Sequence, residues 1–408
     1  MRVFPPLTAT GADMPLKDVA GAAELSERVE LLVPLLRANA LRTEHDGRVA
    51  PENIAALAQA GVFRMTAPRS FGGYQVAVTT QVEVLAAIAR GCGSTSWVCA
   101  VYSVGVWLAG CFSDRAQQEV FSEPDARVTL VAAPTGTLVP TEGGYRLTGR
   151  WTFNTGCLDG HWAIVGAPRP AEHGVAPSDA IVALVPYAEL MIADDWYVSG
   201  LCGTGSRTIV AEDLFVPEHR VLPMSEAQSG RHRSERHAAD PYYRAPIGAV
   251  ANANSAGTPL GLGQAALELF LEQLPGRGIT LTSHTDRRLA AITHLQVGEA
   301  AVKLESAAFH AARCAAIVDD RCQGDQPFTI RDRAQIRSDL GYVTDLSRGV
   351  AHLLLEGSGA SAIHEDVPIQ RIVRDLDALA QHAVLHPKTN LELYGRVLCG
   401  LEPHSVAI

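Results

Sequence analysis

The sequence predicts an α+β multidomain protein: an N-terminal α-helical domain, a central β-barrel or sandwich domain and a C-terminal four-helix bundle. Three observations predict it. Apolar residues recur at helical spacing over 20–121, they condense into short runs broken by Gly, Pro and Asp over 126–224, and helical spacing returns from 247 to the end. At 408 residues the chain also exceeds what one hydrophobic core usually serves. The expected boundaries are a flexible leader at 1–18, a helical domain at 19–125, a β domain at 126–228, a loop at 229–245 and the bundle at 246–408.

Each element has a local reason. The leader has only Arg2 and Lys17 as basic residues and no apolar segment, so it does not read as a signal peptide. In the first domain Leu25, Val29, Leu32, Leu35 and Leu36 form a stripe at 3.6-residue spacing, and Pro51 sits at a first helical turn before Ile54, Leu57 and Val62. Runs at 128–133, 145–153, 162–167, 181–185 and 208–216 read as strands. The polar stretch 229–244 carries Arg231, His232, Arg233, Arg236 and His237; with Tyr242 and Tyr243 it is a candidate substrate lid. Beyond it, 260–274, 286–318, 329–355 and 368–384 are each long enough for a bundle helix.

Composition removes several classes. A net charge of -10 gives the chain an acidic balance that leaves nucleic acid nothing to hold. Eight scattered cysteines without a C-x-x-C pair argue against a zinc site or a disulfide framework and fit a reducing, cytoplasmic setting. The uncharged stretches 91–113 and 247–267 are diluted by Gly, Ser, Thr, Asn and Cys and lack basic flanks, so they read as buried helices rather than membrane spans. No G-x-G-x-x-G follows a strand, so no built-in nicotinamide site is expected.

Local motifs make the domain order specific. Ala60-Gly61-Val62-Phe63-Arg64 followed by Pro68 and Phe71-Gly72-Gly73-Tyr74, then Gly149-Arg150-Trp151-Thr152-Phe153-Asn154-Thr155-Gly156, then Gly203-Thr204-Gly205-Ser206, then Pro368-Ile369-Gln370-Arg371 with Arg374-Asp375, resemble the acyl-CoA dehydrogenase superfamily from about residue 20 to residue 400. The resemblance implies that Phe153, Asn154, Thr155 and Gly156 lie against a flavin ring. Thr155 stands where relatives often carry a serine that reaches flavin N5. Arg277 resembles the arginine that reaches an adjacent subunit's cofactor, and Gly357, Ser358, Gly359 and Arg371 belong to the region packed around it.

A dehydrogenase of this fold needs a carboxylate base beside the flavin, at one of two places. The segment after Arg374-Asp375 offers no Glu at the expected spacing, and 248–263 contains no acid at all. What stands there instead is His382. Together with Gly93-Ser94-Thr95-Ser96-Trp97-Val98, it makes the chain resemble the oxygenase component of two-component flavin-dependent monooxygenases. That branch implies reduced flavin (FADH2 or FMNH2) from a separate NAD(P)H:flavin reductase, O2, a C4a-hydroperoxyflavin, hydroxylation of a bulky aromatic substrate, secondary metabolism, and a homotetramer or dimer. An N-oxygenase of an amino sugar or amine shares every flavin feature, and a dehydrogenase using Asp375 or Asp377 is a further alternative.

His382, with an ordinary pKa near neutrality, is the candidate acid or base, and Thr155 the second catalytic residue. Trp97 is a candidate flavin contact. Ser96, Tyr102, Gly105, Tyr242 and His386 are candidate substrate contacts. Gly105 stands where related oxygenases frequently carry a histidine, and its missing side chain suggests room for a large ligand.

Overall fold

The structure, a computed structural model, describes residues 24–170, 179–324 and 326–405. The leader expected at 1–18 lies outside them. The N-terminal part comprises α1 (Leu25–Glu30), α2 (Val33–Ala38), α3 (Ala40–His45), α4 (Pro51–Ala60), α5 (Val78–Gly91), α6 (Gly93–Ala109) and α7 (Asp114–Val120). Pro51 opens α4, and Gly61 closes it in the left-handed conformation at φ 88°. α6, uncharged throughout, is buried along nearly its whole length, the condition that lets a helix be apolar all round.

The central part holds β1 (Val128–Val131), β2 (Thr137–Thr141), β3 (Gly144–Trp151), β4 (Trp162–Pro168), β5 (Ala180–Pro186), β6 (Met191–Ile192), β7 (Ile209–Pro217) and β8 (Val221–Pro223). They form two four-stranded sheets, ordered β1-β4-β5-β8 and β2-β3-β7-β6, antiparallel except for β1 against β4. β4 and β5 alternate strictly. Ala163, Val165, Ala183 and Val185 enter the core between the sheets, while Ile164, Val182 and Leu184 pack outward on the helices. Both faces are covered, so these strands read as continuous apolar runs. The short β2, β6 and β8 were not expected because their apolar content is too small to mark them.

After α8 (Met224–Gln228) come α9 (Ile247–Asn254), α10 (Gly257–Glu272), α11 (Ala291–Gln323), α12 (Ile330–Ser358), α13 (Pro368–Leu379) and α14 (Pro387–Leu398). Two expectations change here. α13 stops at Leu379, so His382 sits in the turn before a further helix, α14, that the four-helix reading omitted. The two helical regions are also not separate cores: one apolar cluster runs from Leu25 through α5 and α10 to Leu385. Arg90 of α5 reinforces the seam through Glu268 of α10 at 2.8 Å and Glu30 at 2.8 Å.

Candidate active site

The loop after β3 is built under constraint. Phe153 takes φ 59°, a region that large side chains seldom occupy, yet its ring is 70% exposed and stands edge-on to Trp196 at 5.8 Å. Backbone strain combined with an exposed aromatic marks a surface shaped for something other than folding. Asn154 beside it is fully buried. Its Oδ1 accepts from the Tyr187 hydroxyl at 2.7 Å, and its Nδ2 has no hydrogen-bond partner among the described residues. Tyr102 of α6 holds the loop from beneath by donating to the Gly156 carbonyl at 2.6 Å.

Thr155 ends a chain of hydroxyls whose protons can be assigned. Thr204 Oγ1 lies 2.8 Å from the Leu201 carbonyl, which can only accept, so the Thr204 proton points there. In the 2.7 Å contact between Thr204 and Ser206, Ser206 must then donate. In the 2.8 Å contact between Ser206 and Thr155 the donor is therefore Thr155. With its single proton committed, Thr155 offers a lone pair and acts as an acceptor toward any N–H placed over it.

The loop that supplies this chain is anchored on α13. Leu201 N donates to Asp375 Oδ1 at 2.6 Å, and Arg374 Nη1 donates to the Ser199 carbonyl at 2.8 Å. Burial pushes the Asp375 carboxyl up to about 6, against the opposing pull of the Leu201 N–H and Arg371. The same stretch of chain, seven residues on, presents His382. Its ring is open to water on one side, meets Trp97 of α6 edge-to-face at 5.2 Å, and accepts from Val384 N at Nδ1, 3.3 Å away. Because Nδ1 accepts, the neutral ring carries its proton on Nε2. Packing of the surrounding protein around its other side, with the Arg337 guanidinium adding to it, pushes this imidazole below its ordinary range. At neutral pH His382 is thus an uncharged hydrogen-bond donor.

Neither nearby acid competes for a base's role. Asp375 is 4% exposed and held by Leu201 N. Asp377 turns to Arg348 and His352 of α12, which hold its carboxyl below the usual range against its partial burial.

Comparison with known proteins agrees with this geometry. The acyl-CoA dehydrogenase N-terminal domain family matches residues 31–126, and the acyl-CoA dehydrogenase C-terminal domain family matches 253–387. The oxygenase component of an FADH2-dependent resorcinol hydroxylase from Rhizobium sp. (strain MTP-10005) is 31% identical over 385 residues, spanning 92% of this chain and 94% of that protein. XiaF from Streptomyces sp., solved with FADH2 and glycerol, superposes with a TM-score of 0.88 at 32% identity, covering 95% of this chain and 98% of that one. The chain belongs to the acyl-CoA dehydrogenase superfamily, in its flavin-dependent monooxygenase branch. The HsaA monooxygenase from M. tuberculosis is similar too, at TM-score 0.87 and 30% identity over 95% of this chain and 100% of that one.

The residues present fit the flavin this branch uses: the exposed ring of Phe153, an orphaned buried amide N–H on Asn154 and an acceptor at Thr155 stand together on one loop. Several other expected contacts lie elsewhere. Ser96, next to Trp97 but about 100° further round the helix, is fully buried and bonds the Leu85 carbonyl and Thr258 Oγ1, both at 2.8 Å. Tyr102 is a 1% exposed buttress of the loop. Gly105 opens no space: a Cβ there would stand 2.1 Å from the Val128 carbonyl, so the glycine lets β1 lie against α6. Tyr242 and Tyr243 are not a lid. Both are buried, Tyr243 against Trp107, ten residues along α6 from Trp97 and so about 15 Å away. His386 caps α14, accepting from Thr389 N at 3.3 Å.

Arg277 is exposed in the loop after α10, where its Nη1 donates to Gln273 Oε1 at 3.5 Å and its carbonyl accepts from Arg287 N at 2.8 Å. Gly357 and Ser358 end α12, where the Gly357 carbonyl accepts from Arg287 and Ser358 Oγ bonds Leu354 O at 2.7 Å; Gly359 closes the helix at φ 78°. Arg371 faces Glu44 of α3, which Arg374 binds more closely at 2.5 Å. Ser206 and Thr204 were not singled out as site residues, although their motif was; nothing local indicates that their hydroxyls continue the Thr155 chain across 51 residues.

Proposed function

We propose that this chain hydroxylates an aromatic small molecule, using O2 and reduced flavin delivered by a separate NAD(P)H:flavin reductase. The observation that carries this reading is the neutral, donor-presenting His382 beside Trp97, at a place where no carboxylate is free to take an α-proton. Bound reduced flavin would supply the two electrons and the oxygen chemistry. The chain's own residues do the rest. Phe153, Asn154 and Thr155 hold and orient the ring, Trp97 offers an apolar edge to the substrate, and His382 holds a proton at Nε2 where a phenolic oxygen can accept it. Relatives named for resorcinol and p-hydroxyphenylacetate support a phenolic substrate.

A homotetramer or dimer is supported by α11. Leu295, Val302 and Phe309 recur every seventh residue on one face and remain 59–73% exposed, the pattern of a helix awaiting another copy. No helix among the described residues is long and apolar enough to cross a membrane, and a cytoplasmic setting is proposed from the free cysteines.

The test is product formation from a panel of phenols with a flavin reductase, NADH and either flavin. Oxygen-dependent hydroxylation that disappears without the reductase is expected. Turnover of an acyl-CoA with an electron-accepting dye and no reductant would overturn the reading.

A further inference from the structure

The turn that presents His382 has no helix of its own to stiffen it, yet it is gripped by side chains of α12 and α14. Arg337 of α12 is 6% exposed; its Nε donates to Asn390 Oδ1 at 2.9 Å and its Nη2 to the Ala383 carbonyl at 3.4 Å. Asn390 of α14 is fully buried, and its Nδ2 donates to the Val384 carbonyl at 2.8 Å. Two consecutive carbonyls immediately after His382 are therefore held by one arginine–asparagine pair. The pair is itself fixed because α12 and α14 touch at Gly341, where a Cβ would lie 2.9 Å from the Asn390 Cβ and 3.2 Å from the Pro387 Cα. A guanidinium buried this deeply is costly to place, and burial already pulls its own pKa down.

We propose that Arg337, working with Asn390, is the positioning residue for His382: the pair clamps the turn, and the fixed positive charge behind it keeps the imidazole uncharged with its proton on Nε2. This rests on the reading that His382 serves the hydroxylation. Arg337 shares the cavity beside this turn with Glu392 and Arg396 of α14 and with His404, and among these it is the charge that bears on the His382 ring. On α13, Asp375 is turned to Leu201 N and Asp377 to Arg348 and His352. On α6 the neighbour is Trp97, which carries no charge. On α14, His386 is occupied as the helix cap. Burial lowers the His382 pKa first, and Arg337 is the charge that lowers it further.

The experiment follows the His382 ring directly by NMR of histidine-labelled protein between pH 4 and 8, and turnover alongside, in wild type, R337M, R337K and N390A. R337M removes the charge and should raise the His382 pKa by about one unit, with turnover gaining a new loss on the acid side of pH 6. R337K keeps the charge but not the fork, and N390A loosens the turn while leaving Arg337 in place. Both should lower turnover about tenfold with the titration little moved. If R337M does not fold, the R337K and N390A pair carries the test alone. Folded R337M with an unshifted His382, or R337K and N390A both turning over as wild type, would overturn the proposal. Failure of the underlying reading looks different: H382A would keep full activity while R337M still shifts the ring's titration in the wild-type background.

Discussion

Asp375→Asn offers the sharpest physical test of how the β domain is fastened to α13. The Asp375 carboxyl titrates at about 6 in the folded chain against an ordinary 3.8, a difference of roughly two units or about 3 kcal/mol. The sign follows from which state holds the proton. The folded carboxyl binds a proton more readily than the unfolded one, so its contribution is fully present below pH 4 and is lost as pH rises through 6. The amide introduced by the substitution would still accept from Leu201 N but would not titrate. Stability of wild type relative to D375N should therefore fall by about 2 kcal/mol between pH 4.5 and pH 7.5. For a chain of this length melting as one unit, with an unfolding entropy near 2.1 cal/mol/K per residue, that is about 2 °C in Tm. His382 drifts the other way, its depressed pKa giving stability that is present above 6.5 and lost as pH falls through the lowered value, but it is common to both proteins and cancels. Differential scanning fluorimetry of the two proteins from pH 4.5 to 7.5 makes the measurement. Parallel Tm curves would refute the argument.

Further outcomes follow from other parts of the site. H382A, assayed with reductase and a turned-over phenol, should lose about a hundredfold in product formation while still binding flavin in an anaerobic titration. S206A releases the Thr155 proton from its chain, so the ratio of oxidised-flavin to reduced-flavin Kd should fall several-fold; T155S should preserve it. G105A drives a methyl into the Val128 carbonyl and should cost about 1–3 kcal/mol of stability, read as a lower Tm with no change in substrate range. The double variant L295D/F309D, placing charges on the exposed α11 stripe, should shift light-scattering mass toward the monomer.

Much of this protein was legible in its residues. Helical, strand and again helical periodicity are local properties, and they determined the order of the three regions. The absence of acid over 248–263, and of a glutamate after Arg374-Asp375, was equally plain and turned the reading from dehydrogenase to oxygenase. Only tertiary structure decided which side chains face the site. Ser96 and Trp97 are neighbours in the chain, but one is consumed between α5 and α10 while the other meets His382. Gly105 promised space that a strand from the next region occupies, and Tyr242 looked like a lid until packing drew it into the core. Asp375 finds its partner 174 residues away at Leu201, and the grip of Arg337 on the His382 turn joins α12 to the approach of α14. Periodicity reports the face a helix buries; which neighbour arrives at that face depends on contacts between distant segments, and these no local pattern encodes.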